Sequence, residues 1–193
     1  MSMNYFCRKG TLPMLKAFGS KIDLDNEENA VYYYLIADLL EHDLVLKMKE
    51  FPHHGETSCF QHCLNVSYYN YKMCRFFSLN ERAGARAGLL HDLFLYDWHT
   101  YKPEKGERLH GFTHAKAALK NVKENFYISD LEKDIIEKHM FPLNITAIPR
   151  YRETLVIVIV DKYCGLMETL VPRINKVSAA FSKLGKKLRK NNV

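Results

Sequence analysis

Gly88-Leu89-Leu90-His91-Asp92-Leu93-Phe94-Leu95 sets an imidazole and a carboxylate side by side in an otherwise apolar stretch. Apolar residues flank the pair on every helical side, so both groups are expected to be shielded from water. A buried carboxylate without a partner is costly, and it either takes up a proton or finds a cation. Asp161 raises the same problem at the end of Val156-Ile157-Val158-Ile159-Val160. His62, His114 and His139 also fall on the apolar stripes of their predicted helices. One histidine on such a stripe is ordinarily a satisfied core residue. Two carboxylates and four histidines on five separate helices need a common reason to face inward. A divalent metal centre supplies one, because it neutralises the carboxylates and takes imidazole nitrogens directly.

Outward from this stretch the chain reads as helices almost throughout. Residues 27–51 form a first helix, stopped by Pro52. A second runs from about Thr57 to Phe77. Asn80 caps a third, with Ala83, Ala87, Leu90, His91 and Phe94 on one stripe. Thr113 opens a helix to about Asn125, and Ser129 with Glu132 has capping-box spacing for one that stops at Pro142. Residues 151–170 form a long helix with an apolar centre. A strand is the alternative for Leu155–Val160, where Val and Ile dominate. The expected fold is therefore all-α, a single domain over residues 1–172 followed by a basic helix or tail over 173–193.

The composition excludes several classes. The 193 residues are 47% hydrophobic and 26% charged, as in an ordinary globular domain with a sizeable core. The longest apolar run, Leu155–Val160, is too short to span a bilayer, and the first twenty residues hold no apolar signal core. The five cysteines (Cys7, Cys59, Cys63, Cys74 and Cys164) have no paired CxxC spacing, so buried free thiols in a reducing cytoplasm are expected. The formal net charge is +6, yet residues 173–193 carry seven cations and no acid. Subtracting them leaves residues 1–172 at −1, so the basic character belongs to the tail.

The order His62, His91-Asp92, His114, His139, Asp161, with gaps of 29, 22, 25 and 22 residues, resembles the HD superfamily of metal-dependent phosphohydrolases. The resemblance covers roughly Thr57 to Met167, or residues 57–167, and extends to "GLLHDLF" and "IVDKY". It implies a compact bundle of five or more helices around the metals. His42-Asp43 is a second HD pair, but no histidine precedes it, and it reads as a surface decoy. The two further histidines resemble the dinuclear branch, which includes HD-GYP phosphodiesterases, type I CRISPR HD nucleases and myo-inositol oxygenase. The chain lacks the GYP signature and the paired His-His of the first of these.

The resemblance implies that His62, His91 and Asp161 hold one ion, that His114 and His139 hold the other, and that Asp92 bridges them. The ions would be two divalent metals among Mn, Fe, Mg, Co and Zn, with hydroxide between them attacking phosphorus. The expected substrate is a small nucleotide or another phosphate mono- or diester. Candidate substrate contacts are Asp97, His99, Lys102, Lys105, Arg108 and His110 in the loop 96–111, and Lys162 beside Asp161. The same loop also reads as a merely solvated one, and His54 as a rim residue or part of a capped loop. Competing readings are a nuclease on single-stranded nucleic acid, guided by the basic tail 173–190, an oxygenase, and a non-catalytic nucleotide-binding module. The tail also reads as a membrane-surface helix or a solvated terminus.

Overall fold

The computed structural model describes residues 16–17, 20–21, 26–55, 57–102 and 109–190, with side chains described from residue 26 to 176 outside those gaps and at 178. Among the described residues there are seven α-helices: α1 Glu27–Leu40, α2 Asp43–Lys47, α3 Cys59–Phe76, α4 Glu81–Leu90, α5 His110–Asn125, α6 Asp130–Lys138 and α7 Arg152–Lys190. Among the described residues, strand pairing is confined to Lys16–Ala17 against Ser20–Lys21 and a single bridge between Pro52 and Ser58. The fold is all-α, and Leu155–Val160 is helical. No described helix is long and apolar enough to cross a membrane.

Helix starts follow the side-chain caps. Asn80 Oδ1 accepts from the Ala83 amide at 2.9 Å, and Ser129 and Glu132 form a reciprocal capping box. The helix read over 27–51 is in fact two, because the His42 imidazole accepts from the Leu44 amide and starts α2. The His42-Asp43 pair is therefore a helix cap. The third helix ends at Leu90, earlier than its apolar stripe, so His91 caps it and Phe94 lies beyond it. Helix α5 begins at His110, ahead of the expected start at Thr113. The last does not stop at residue 170 but continues through Pro172 to Lys190.

Helix α3 is the hub, packed on α4 and α7, while α4 also meets α1 and α6. Tyr32, Ile36, Leu64, Val66, Tyr71, Leu89, Ile135 and Ile157 fill the core between them. Gly84 and Gly88 bring α4 close to α3: a Cβ at Gly88 would lie 2.8 Å from Ser67 Cα. The Tyr32 hydroxyl donates to Ser67 Oγ, which donates to the Ala85 carbonyl, tying α1, α3 and α4 together. Cys59, Cys63, Cys74 and Cys164 are buried free thiols, whereas Cys7 lies outside the described residues.

Several buried acids have purely structural partners. Asp134 accepts from the Thr154 hydroxyl and the Arg150 amide and pairs with Lys138, joining α6 to α7. Glu153 accepts from the Asn80 amide. These accounts leave one group of buried ionisable residues unexplained by packing, and it lies where α3, α4, α5, α6 and α7 converge.

Candidate metal centre

Each member of that group is set by a local backbone feature. Ser58 caps α3 and thereby places His62 in its first turn. His91 and His139 cap the C-termini of α4 and α6. Asp92 follows His91, His114 lies in the second turn of α5, and Asp161 lies along α7. His91 Nδ1 donates to the Gly88 carbonyl at 2.8 Å, His114 Nδ1 to His110 at 2.9 Å, and His139 Nδ1 to Ile136 at 2.8 Å. A carbonyl only accepts, so each Nδ1 carries a proton, and the Nε2 of each ring is the atom turned toward the cluster.

Those Nε2 atoms converge on two carboxylates. Asp92 Oδ1 is 3.4 Å from His114 Nε2 and 3.5 Å from His139 Nε2. Its Oδ2 is 3.4 Å from His91 Nε2 and 3.2 Å from His53 Nε2. Asp161 Oδ1 is 3.1 Å from His62 Nε2 and 3.6 Å from His91 Nε2. The structure thus brings together all six sequence-predicted ligands, and the two Asp92 oxygens face different halves of the cluster.

Burial opposes the charge on Asp92 and Asp161, but the surrounding histidines hold both carboxyls well below the usual range. Burial pushes His139 down to about 3. It pulls His62 the same way, yet hydrogen bonds to Asp161 and Glu168 win and raise it.

The donors fit a metal. Ligand atoms that share one ion at about 2.1 Å lie roughly 3.0–3.4 Å apart, depending on coordination geometry. Neighbouring donors here are separated by 2.9 to 3.6 Å. His91 Nε2 and Asp92 Oδ1 are buried without a hydrogen-bond partner, an expensive arrangement for protein alone. His114 Nε2 and His139 Nε2 face each other at 2.9 Å, and with both Nδ1 atoms donated to carbonyls two neutral rings have no hydrogen to share there. Among the candidate metal-holding groups are His62, His91 and Asp92, and Asp92, His114 and His139.

The sequence reading missed two residues of the cluster. Glu168 Oε2 lies 2.9 Å from His62 Nδ1, while its other oxygen accepts from Asn65 at 2.7 Å. Such a carboxylate–histidine contact would orient the His62 ring from behind if it held an ion. Asp161 and Glu168 are seven residues apart, two helical turns on one face, and that spacing was the available signal. His53, 6% exposed, reaches Asp92 from the turn before α3. Gly55, at φ +60°, shapes that turn, and a Cβ there would lie 3.0 Å from the Glu168 carbonyl. Glu168→Gln keeps the side chain's shape but removes its charge. It is expected to weaken metal affinity about 10- to 100-fold with the helical content unchanged, as read by metal titration and circular dichroism. Unaltered affinity would leave Glu168 a packing residue only.

A cavity of about 330 Å³ opens onto the cluster. His110 and Lys162 line it, as do His54, Trp98 and Leu166. Trp98 stacks on His110 with the rings 13° apart, and Lys162 Nζ lies 3.5 Å from the His139 carbonyl. Among the described loop candidates, Asp97, His99 and Lys102 do not line it. Asp97 accepts from the backbone and ring of His99. His99 and Lys102 are exposed and do not line the cavity. Lys105 and Arg108 lie outside the described residues.

The HD domain model matches residues 59–166. No curated protein and no solved structure gives a match. The matched span exceeds half of the chain and contains the whole His62-to-Asp161 series on an all-helical scaffold, and on that ground the chain belongs to the HD domain family.

Proposed function

We propose that the chain is a metal-dependent phosphohydrolase that cleaves a small phosphate ester. The observation that carries this reading is the set of Nε2 atoms of His91, His114 and His139, turned by their Nδ1–carbonyl bonds onto the carboxylates of Asp92 and Asp161. His62, His91 and Asp161 would hold one divalent ion, His114 and His139 a second, and Asp92 would offer one oxygen to each. Bound there, such ions supply Lewis-acid charge to a phosphoryl group and lower the pKa of water. The family is one of hydrolases, with non-catalytic modules among its members, and the complete donor set favours the catalytic kind.

The remaining residues serve the substrate. Lys162 offers a cation at the cavity wall, where a phosphate oxygen can accept from its ammonium. The stacked Trp98 and His110 give a flat wall for the organic part, and burial holds His110 largely neutral, with its pKa pushed down to about 4. Small-ligand pockets run from about 300 to 1,000 Å³, so a cavity of about 330 Å³ suits a mononucleotide-sized ester better than a polymer.

The test combines metal analysis with a panel of phosphate mono- and diesters assayed with Mn, Fe, Mg, Co and Zn. About two ions per chain are expected, with hydrolysis lost on chelation and restored by metal. Ligand-dependent melting without turnover under any metal would reassign the chain as a binding module. Dioxygen consumption would reassign it as an oxygenase.

A further inference from the structure

Helix α7 carries a feature that the metal centre does not use. Leu155, Ile159, Tyr163, Leu166, Leu170 and Ile174 are each between 40% and 67% exposed. At about 100° per residue these six positions fall within an arc of roughly 100°. They form one apolar stripe pointing away from the core. In the sequence the same three- and four-residue spacing recurs at Val177, Phe181, Leu184 and Leu188. Apolar residues in isolation are normal on a surface, but an aligned stripe of this length marks an interaction face.

Charge selects the occupant. After Glu168 the chain contains seven cations and no acid. The helix has three acids of its own, none of them available to an outside cation. Glu153 accepts from Asn80, Asp161 faces His62, and Glu168 holds His62 and Asn65. A second copy of the chain laid along α7 would therefore set cations against cations with no carboxylate on that helix to offset them. A nucleic acid would satisfy the cations and leave the Leu and Ile side chains in water. An anionic bilayer meets both demands, because the stripe enters the boundary between headgroups and acyl chains while the flanking Lys and Arg meet the phosphates.

We infer that α7 is a docking face for an anionic lipid surface. The helix lies on the membrane and does not span it, in keeping with its lack of a bilayer-length apolar segment. The metal centre lies at the edge of this face. Leu166 and Lys162 belong to the outward side of α7 and also line the cavity. At another part of the cavity wall, exposed Leu143 packs beside Gly111, with 3.3 Å to a Cβ built there. Docking thus brings the cavity mouth close to the lipid headgroups.

The experiment is co-sedimentation of the full chain with vesicles of phosphatidylcholine alone and of phosphatidylcholine mixed with phosphatidylserine. The protein is expected to pellet with the mixed vesicles and stay in solution with the neutral ones, and the binding should weaken as salt rises. Ile159→Glu and Ile174→Glu alter exposed positions that neither line the cavity nor belong to the candidate ligand groups. Each is expected to lower partitioning about tenfold or more, with metal content unchanged. Arg173→Gln combined with Lys176→Gln should lower it on mixed vesicles only. Failure to bind mixed vesicles, or variants that pellet like the parent, would overturn the inference. A dimer disrupted by Ile159→Glu would assign the face to a second copy, and oligonucleotide binding insensitive to Ile159→Glu would assign the cations to nucleic acid. Either result would overturn it as well.

Discussion

Asp92→Asn is expected to abolish metal-dependent turnover, a fall of about 10³-fold or more, on the scale of removing a group that organises developing charge. The reason lies in how the carboxylate is shared. Its Oδ1 faces His114 and His139, and its Oδ2 faces His91 and His53. The amide matches the carboxylate in shape but presents one oxygen and one NH2 group, so one half of the cluster meets a donor where it needs an acceptor. The lost negative charge weakens both halves, because Asp92 and Asp161 are the two carboxylates that balance ions among the four histidines. Metal content is therefore expected to fall at both sites together, while far-UV circular dichroism stays that of the parent. A variant that retained one ion at full occupancy would show that Asp92 serves a single ion and is not shared.

The legible part of the site was the part carried by periodicity and pairing. His62 and His114 lie on helix faces that read as buried, and Asp161 ends a run of Val and Ile, so a charge there had to be explained. The capping signals of α4 and α6 depend on residues three apart and were readable for the same reason. Helix ends set by weaker signals were not. The break at His42 rests on an imidazole acting as a cap, a role that Ser, Asp and Asn usually fill. The halt of α4 at Leu90 does not follow its apolar stripe, which continues to Phe94. His53 stands outside any periodic element, in the turn closed by the Pro52–Ser58 bridge, so no helix face points to it. Its contact with Asp92 is a tertiary fact. Glu168 lay on the correct face of α7, but an acid on a long charged helix is usually solvated, and only its contact with His62 separates it from the rest. Loop 96–111 was the least informative segment, because its polar residues have no period that tells inward from outward.

His139→Gln separates binding from folding in the opposite direction. With Nδ1 of both rings donated to carbonyls, His114 and His139 bring their Nε2 atoms to 2.9 Å, where two neutral rings have no hydrogen to share. Without metal this contact is unfavourable, and burial keeps His139 from relieving it by protonation, with its pKa pushed down to about 3. A glutamine of similar reach offers an amide hydrogen to His114 and removes the clash. The metal-free variant is therefore expected to be at least as stable as the metal-free parent. The metal-loaded parent should outlast the loaded variant, because ligands that bind only the folded state stabilise it in proportion to their affinity. One ion per chain in place of two, and turnover lower by about 10²-fold or more, should accompany this reversal. The pH dependence carries the same signature. The unfolded chain takes up a proton on this histidine below about pH 6.5, whereas the folded chain resists until about pH 3. Metal-free parent stability should accordingly fall as pH drops through that window, and the variant should lose the part of that slope that belongs to His139. Urea unfolding of both proteins with and without metal, across pH, reads every one of these differences. A variant that is weaker than the parent without metal, or one that keeps two ions, would show that the paired imidazoles are a packing contact and hold no ion.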